Sequence, residues 1–105
     1  MSNTLHYSSL ALQDISDIYN YINTEKQNPI AAKNTIQGIK TAISELKTLD
    51  NIGTKVILPT NIETKYRFIQ YKNYLIFYYS DYSDKTEIYI SRILYARRDY
   101  LNILF

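Results

Sequence analysis

The sequence predicts an α+β fold: an antiparallel sheet packed against an N-terminal two-helix hairpin, in the order β-α-α-β-β-β-α. Three observations carry this. Apolar residues recur at spacings of four and three through two successive stretches between residues 11 and 46. Three runs dense in Ile, Tyr and Phe then follow, joined by links short enough for hairpins. With 2 Gly and 2 Pro in 105 residues, few breaks interrupt long regular elements. A chain of this length makes one domain, residues 1–105, with room for a single core.

The elements follow in order. Residues 3–7, NTLHY, read as a short first strand. Ser8 or Ser9 caps a helix, its hydroxyl accepting a backbone N–H that the first turn leaves unpaired. Ala11, Ile15, Ile18 and Ile22 form the apolar face of that helix, and Asp14 and Asp17 read as lying off the stripe, toward solvent. Asn28-Pro29 opens a second helix, because asparagine caps well and proline loses nothing at the first helical position. Its stripe is Ala32, Ile36, Ile39, Ile43 and Leu46, and the link of residues 25–28 folds the pair into an antiparallel hairpin. Gly38 inside this helix costs roughly 1 kcal/mol against alanine; a close helix–helix approach is the expected compensation. The segment DNIGTKVILPTNIE, with Gly53 and Pro59, reads as a connection with a short extended piece at residues 56–58. Residues 65–71, 73–81 and 86–95 read as a three-strand meander turning at Lys72-Asn73 and at residues 82–85. The middle run is apolar on both faces, as suits a central strand covered on both sides. Residues 98–105 close the chain as a short helix.

Composition narrows the functional classes. Hydrophobic residues at 46% and charged residues at 21% match a globular chain rather than a disordered one. The absence of cysteine excludes disulfides and thiolate chemistry. MSNTLHYSS lacks the charged and apolar regions of a signal peptide, and no apolar run approaches the roughly 20 residues of a membrane span. A cytoplasmic protein without membrane contact is expected. The net charge of +2 is uneven: residues 1–52 hold four Lys/Arg against five Asp/Glu, residues 53–105 eight against five. The basic half permits an acidic partner or nucleic acid without requiring either. The 12 tyrosines suit half-buried sheet faces first and binding surfaces second.

The familiar catalytic sets are missing. His6 is the single histidine, so neither a zinc site nor a Ser-His-Asp arrangement is expected, and no glycine-rich phosphate cradle occurs. No metal or cofactor is expected. Asp81 and Asp84 flank a turn, where aspartates bond their own backbone. What remains is an arginine–tyrosine set in the basic half: Arg67, Tyr71, Arg92, Tyr95, Arg97, Arg98 and Tyr100. Arginines can clamp phosphates, and tyrosines can stack on bases or transfer protons. The competing reading pairs Arg67 and Arg92 with carboxylates such as Glu63 or Glu87, and makes Arg97, Arg98 and Asp99 ordinary charges at a helix start.

From about Leu12 to Leu104 the chain resembles the RelE/ParE superfamily of bacterial type II toxins. The matching pieces are the hairpin with Pro29, Asp17 with Tyr21-Ile22, Tyr66-Arg67, the run Tyr74-Leu75-Ile76-Phe77-Tyr78, and a closing block from Ile90 through Arg92, Leu94-Tyr95 and Arg97-Arg98-Asp99. The resemblance implies a toxin neutralised by a cognate antitoxin, touching DNA only indirectly through that antitoxin. The antitoxin is expected to be acidic and to cover the sheet face or the groove beside the helical hairpin. It also implies one of two targets. The RelE-like branch cuts mRNA on the ribosome; there the catalytic positions would fall on Arg67, Arg97 and Tyr100. The ParE-like branch inhibits DNA gyrase, with Arg67, Tyr71, Arg92, Tyr95, Arg97 and Arg98 as the contact set.

Two positions lean toward the second branch. The ribonuclease motif carries an arginine for the scissile phosphate where this chain has Leu75, and Ile69 replaces a second basic residue. Losing one such preorganised donor costs about 3 kcal/mol of transition-state stabilisation. The ParE branch with gyrase as target is therefore the first expectation, and a ribosome-dependent mRNA endonuclease the alternative.

Overall fold

The computed structural model describes residues 3–83, 85–96 and 100–104. Asp84, Arg97, Arg98 and Asp99, singled out above, lie outside the described residues. The elements are β1 (Thr4–Tyr7), α1 (Ser9–Thr24), α2 (Pro29–Ser44) with a 3-10 turn (Glu45–Lys47), β2 (Thr54–Ile57), β3 (Glu63–Tyr71), β4 (Tyr74–Asp81), β5 (Glu87–Tyr95) and α3 (Tyr100–Leu104). No helix of the described residues is long and apolar enough to cross a membrane.

Both helix starts follow from their caps. Ser8 Oγ accepts from the Ala11 N–H at 3.0 Å, and its own hydroxyl donates to the Ser91 carbonyl at 2.7 Å, so one side chain starts α1 and ties it to β5. Asn28 Oδ1 accepts from the Ala31 N–H at 3.0 Å, with Pro29 in the first helical position. The hairpin lies on one face of the sheet. Ala11, Ile39, Ile43 and Leu46 pack there against Ile76, Tyr78, Ile88, Ile90 and Ile93. Each buried aliphatic side chain contributes about 1.5–3 kcal/mol. The other face carries Val56, Leu75, Phe77 and Leu94, with Tyr100, Leu101, Ile103 and Leu104 of α3 against them. β4 sits in the middle of the sheet, which explains its four consecutive buried residues.

The sheet runs β1-β5-β4-β3-β2 and is mixed rather than purely antiparallel. The three long strands form the expected antiparallel meander, but β1 pairs parallel with β5, Leu5 opposite Ile88. Most of the chain separates those two strands, so no tight turn dictates their direction. The extended piece expected within the connection is strand β2, at residues 54–57, antiparallel to β3.

Two local readings are corrected. Gly38 does not serve a helix–helix approach: a Cβ built on it would overlap the ring Cζ and hydroxyl of Tyr71. The glycine makes room for a sheet tyrosine. Asp14 does not face solvent but is 8% exposed, held between α1 and β5. Position 14 stands three residues after Ala11 and four before Ile18, inside the buried sector, and a distant arginine makes that burial affordable.

Candidate functional site

Arg92 is that arginine. Its Nε and Nη2 donate to the two Asp14 carboxylate oxygens at 2.8 and 2.9 Å, and the Ile93 N–H donates to Oδ2 at 2.9 Å. The register explains the need. β5 slips against β4 so that Phe77 faces Arg92 and Tyr78 faces Ile90, leaving Ser91 as an extra residue. β1 ends opposite Ile90. Beyond it Ser8 takes the Ser91 carbonyl, and Asp14 takes the Ile93 N–H. The hydrogen bond to Asp14 raises the Arg92 pKa above its ordinary value, outweighing the opposite effect of burial. Arg92 is therefore engaged within the fold.

Arg67 is engaged too. It stands opposite Tyr78 on the helix-covered face, and its Nη1 donates to the Gly53 carbonyl at 2.8 Å. Neither arginine pairs with the glutamates considered from sequence: Glu63 lies 3.4 Å from Lys55 Nζ, and Glu87 lies 3.2 Å from His6 Nε2. Tyr71 packs over Gly38. Tyr100 lies on the opposite face of the sheet from Arg67, its ring 5.2 Å from that of Phe77. The sheet thus separates Arg67 from Tyr100, while Arg97 and Arg98 lie outside the described residues. Asp81 behaves as a turn aspartate, its Oδ1 accepting from the Ser83 N–H at 3.0 Å.

Several tyrosines are cross-strand partners. Tyr79 and Tyr89 stack at 5.2 Å, and His6 stacks on Tyr89 at 4.9 Å. Such pairs stabilise neighbouring strands by a few tenths to about 1 kcal/mol.

Two of the described candidates line concavities: Tyr71 borders a groove beside Gly38, Thr41 and Ala42 of α2, and Tyr95 opens onto a second one that gathers three phenols. α1 passes the ends of β4 and β5 there and leaves a cleft of 560 Å³. Ile18, Ile22, Ile93 and Leu94 supply its apolar lining, while Tyr21, Tyr74 and Tyr95 bring phenols, with Lys26 and Asp17 beside them. Tyr21 is 53% and Tyr95 41% exposed, so aromatic surface stands open to a partner. The Tyr74 and Tyr95 rings meet edge to face at 5.8 Å. Burial raises the Tyr74 pKa, and the neighbouring Tyr95 and Tyr21 phenols raise it further. Tyr74 therefore stays protonated at neutral pH and can donate a hydrogen bond. An apolar cleft with phenols suits an anchoring side chain from another protein, since aromatic groups dominate protein contacts. Tyr21 and Tyr74 belong to the resemblance motifs but not to the arginine–tyrosine set, because Tyr21 lies in the acidic half and Tyr74 opens the apolar run of the central strand.

With the geometry in place, the relationships of the chain are informative. No curated protein matches it by sequence. A solved structure described as the chromosomal ParDE TA system from P. aeruginosa contains a chain with the same fold. The TM-score is 0.68 at 20% identity, covering 91% of this chain and 98% of that one. The family model for the ParE toxin of the type II toxin-antitoxin system, parDE, matches residues 5–100. A match over nearly the whole sequence places the chain in a family, and it belongs to the ParE toxins of type II toxin-antitoxin systems.

Proposed function

We propose that this ParE-family chain arrests growth by binding DNA gyrase, without cleaving nucleic acid, and that a cognate antitoxin neutralises it in the cytoplasm. The observation that carries the non-catalytic reading is the engagement of its two described arginines. Arg92 is bound by Asp14 and Arg67 by Gly53. A phosphate clamp needs its donors free and aimed at one place. Leu75, at the position where the ribonuclease branch carries an arginine, is 7% exposed in the second core. Family membership supports the toxin role, and the ParDE system of the structural relative supports an antitoxin partner. The cleft beside Tyr21, Tyr74 and Tyr95 is the contact site we assign, in place of Arg67 and Arg92.

Purified protein added to gyrase should inhibit supercoiling or trap cleaved DNA complexes. A Tyr21→Ala/Tyr95→Ala variant should lose at least tenfold in potency, as expected when exposed aromatic anchors are truncated. Codon-dependent mRNA cuts seen only with ribosomes, with gyrase unaffected, would overturn the proposal and restore the endonuclease reading.

A further inference from the structure

The sheet has two edges, and they are guarded unequally. β2, at one edge, carries Lys55, shifts register between Lys55 and Ile57, and is followed by Pro59. Charge, irregularity and proline keep an edge from pairing with another chain. β1, at the other edge, is TLHY, with no lysine or proline and an unbroken register against β5 from Thr4 to Tyr7. The Thr4 N–H donates to the Thr86 carbonyl at 3.3 Å, and the Ser8 N–H to the Ile90 carbonyl at 3.0 Å. By alternation, the backbone groups of Leu5 and Tyr7 turn away from β5. Among the described residues nothing bonds them. On that side Asn3, just before the strand, donates to the Lys47 carbonyl at 2.7 Å.

Both faces of the sheet stop unfinished at this edge. On the face away from the hairpin, Tyr66 of β3 meets Tyr79 of β4 at 5.6 Å, and Tyr79 stacks on Tyr89 of β5 at 5.2 Å. Tyr89 in turn stacks on His6 at 4.9 Å, and the row ends there with the His6 side chain 40% exposed. On the hairpin face, Leu5 and Tyr7 pack against the core but are only partly buried.

We propose that two copies of this chain associate through β1, paired antiparallel about a two-fold axis at His6. Leu5 of one copy would exchange N–H and C=O bonds with Tyr7 of the second copy, and Tyr7 with Leu5. The strand fits itself because its two outward residues flank one central position, so the contact reads the same from either copy. His6 would face His6 of the second copy, carrying the aromatic row across the axis. Leu5 would face Tyr7 on the hairpin side, joining the margins of the two cores. Cross-strand pairs of these kinds stabilise a sheet, and a strand from a different protein would have to supply both matches independently. Four-residue strands make a small interface, so the association is weak and rises with concentration. β1 lies along residues 87–90 of β5, whereas the tyrosine cleft lies at the far end of that strand. Both clefts stay open, so the pair presents the contact site twice.

The test uses the full chain. Sedimentation over rising concentration should show a monomer–dimer equilibrium. The Leu5 and Tyr7 amides, open to exchange in the dilute monomer, should exchange more slowly as the dimer forms. Leu5→Pro removes an N–H that points away from β5, leaving the pairing within the sheet intact, and should abolish the dimer. A thermal melt shows whether that variant is folded. His6→Lys, which sets like charges opposite each other at the axis, is a second variant with the same expected direction. Because the chain has no cysteine, His6→Cys reports the axis directly. Opposed residues there stand about 4.5 Å apart, within disulfide reach. In a glutathione redox buffer His6→Cys should cross-link at least tenfold faster than Thr4→Cys, which would face Ser8 rather than itself. Four results overturn the proposal. They are a monomer up to about 1 mM, a dimer in which the Leu5 and Tyr7 amides exchange as fast as in the monomer, association unchanged in both Leu5→Pro and His6→Lys, or equal cross-linking of the two cysteine variants. None of these measurements involves gyrase, so the proposal stands or falls apart from the gyrase reading.

Discussion

Polar devices tie the sheet to its neighbours in two regions, to α1 on one side and to the connection at residues 50–53 on the other, and the two are built differently. On the β5 side a charged pair does the work: Asp14 receives Arg92 and the Ile93 N–H, joining positions 78 and 79 residues apart. On the β3 side the central device is neutral. Tyr78, fully buried, donates its hydroxyl to the Asp50 carbonyl at 2.7 Å and accepts from the Gly53 N–H at 2.9 Å. Around it Arg67 holds the Gly53 carbonyl, and the Asp50 carboxylate accepts from Ser80 and Tyr82. The charged pair concentrates its contribution in one carboxylate. The phenol network distributes a similar task over several weaker bonds, so it should fail more gently but respond to alkali.

The largest effect is expected at Asp14. Asp14→Ala leaves the Arg92 guanidinium and the Ile93 N–H without their acceptor, and removing one partner of a buried pair costs about 3–5 kcal/mol. Urea denaturation should show that loss, a large share of a total stability of roughly 5–15 kcal/mol. Asp14→Leu/Arg92→Met should recover most of it, the Ile93 N–H keeping a residual penalty of about 1–3 kcal/mol. If Asp14→Ala is nearly neutral, the charged region is not the stronger of the two.

The phenol region should respond more modestly. Tyr78→Phe removes both bonds of the hydroxyl, for a loss of about 2 kcal/mol at neutral pH. Burial is the main reason the Tyr78 pKa lies above 10.0, the Gly53 and Arg67 contacts pulling partly the other way. Below pH 10 both folded and unfolded forms are protonated, and the stabilisation is complete. As pH rises past 10, the unfolded chain ionises while folded Tyr78 stays neutral, so stability falls toward the folded pKa. Arg92, its pKa raised, stays charged through that window. The wild type should therefore lose stability above pH 10, and Tyr78→Phe should lose it with a shallower slope. The shallower slope is not a flat one, because Tyr7, Tyr74, Tyr82 and Tyr89 are also raised. An unchanged slope would mean that Tyr78 has no part in the alkaline response.

The smallest effect concerns Gly38, where α2 meets β3. Helix propensity alone favours Gly38→Ala by about 1 kcal/mol. Overlap with the Tyr71 ring opposes it by about 1–3 kcal/mol, for a net destabilisation near 1 kcal/mol. In a Tyr71→Ala background the same substitution should become stabilising. Thermal melts of the four proteins decide between the two.

Much of the fold was legible because the signals are short-ranged. The caps at Ser8 and Asn28, the two helical stripes, the Lys72-Asn73 turn and the central position of β4 each depend on residues within a few positions of one another. The site was far less legible. Arg92 and Arg67 read as candidate anion ligands because free arginines bind anions, yet each is engaged by a group 78 or 14 residues away. Asp14 reads as a surface charge by residue type, although its place between Ala11 and Ile18 marks it as inward. The parallel direction of β1, and Tyr71 as the neighbour that Gly38 accommodates, likewise have no local signature.

The sequence by itself determined the two helices, the three-strand meander, the order in which they follow and the family they resemble, because periodicity and capping act within one or two turns of chain. Only the tertiary structure decided which polar side chains hold the fold together and which remain open to a partner. That choice depends on sheet register, which brings Asp14 to Arg92 and gathers Tyr21, Tyr74 and Tyr95 around one cleft. No spacing along the chain encodes such meetings, since burial and partner arise together only when distant segments pack.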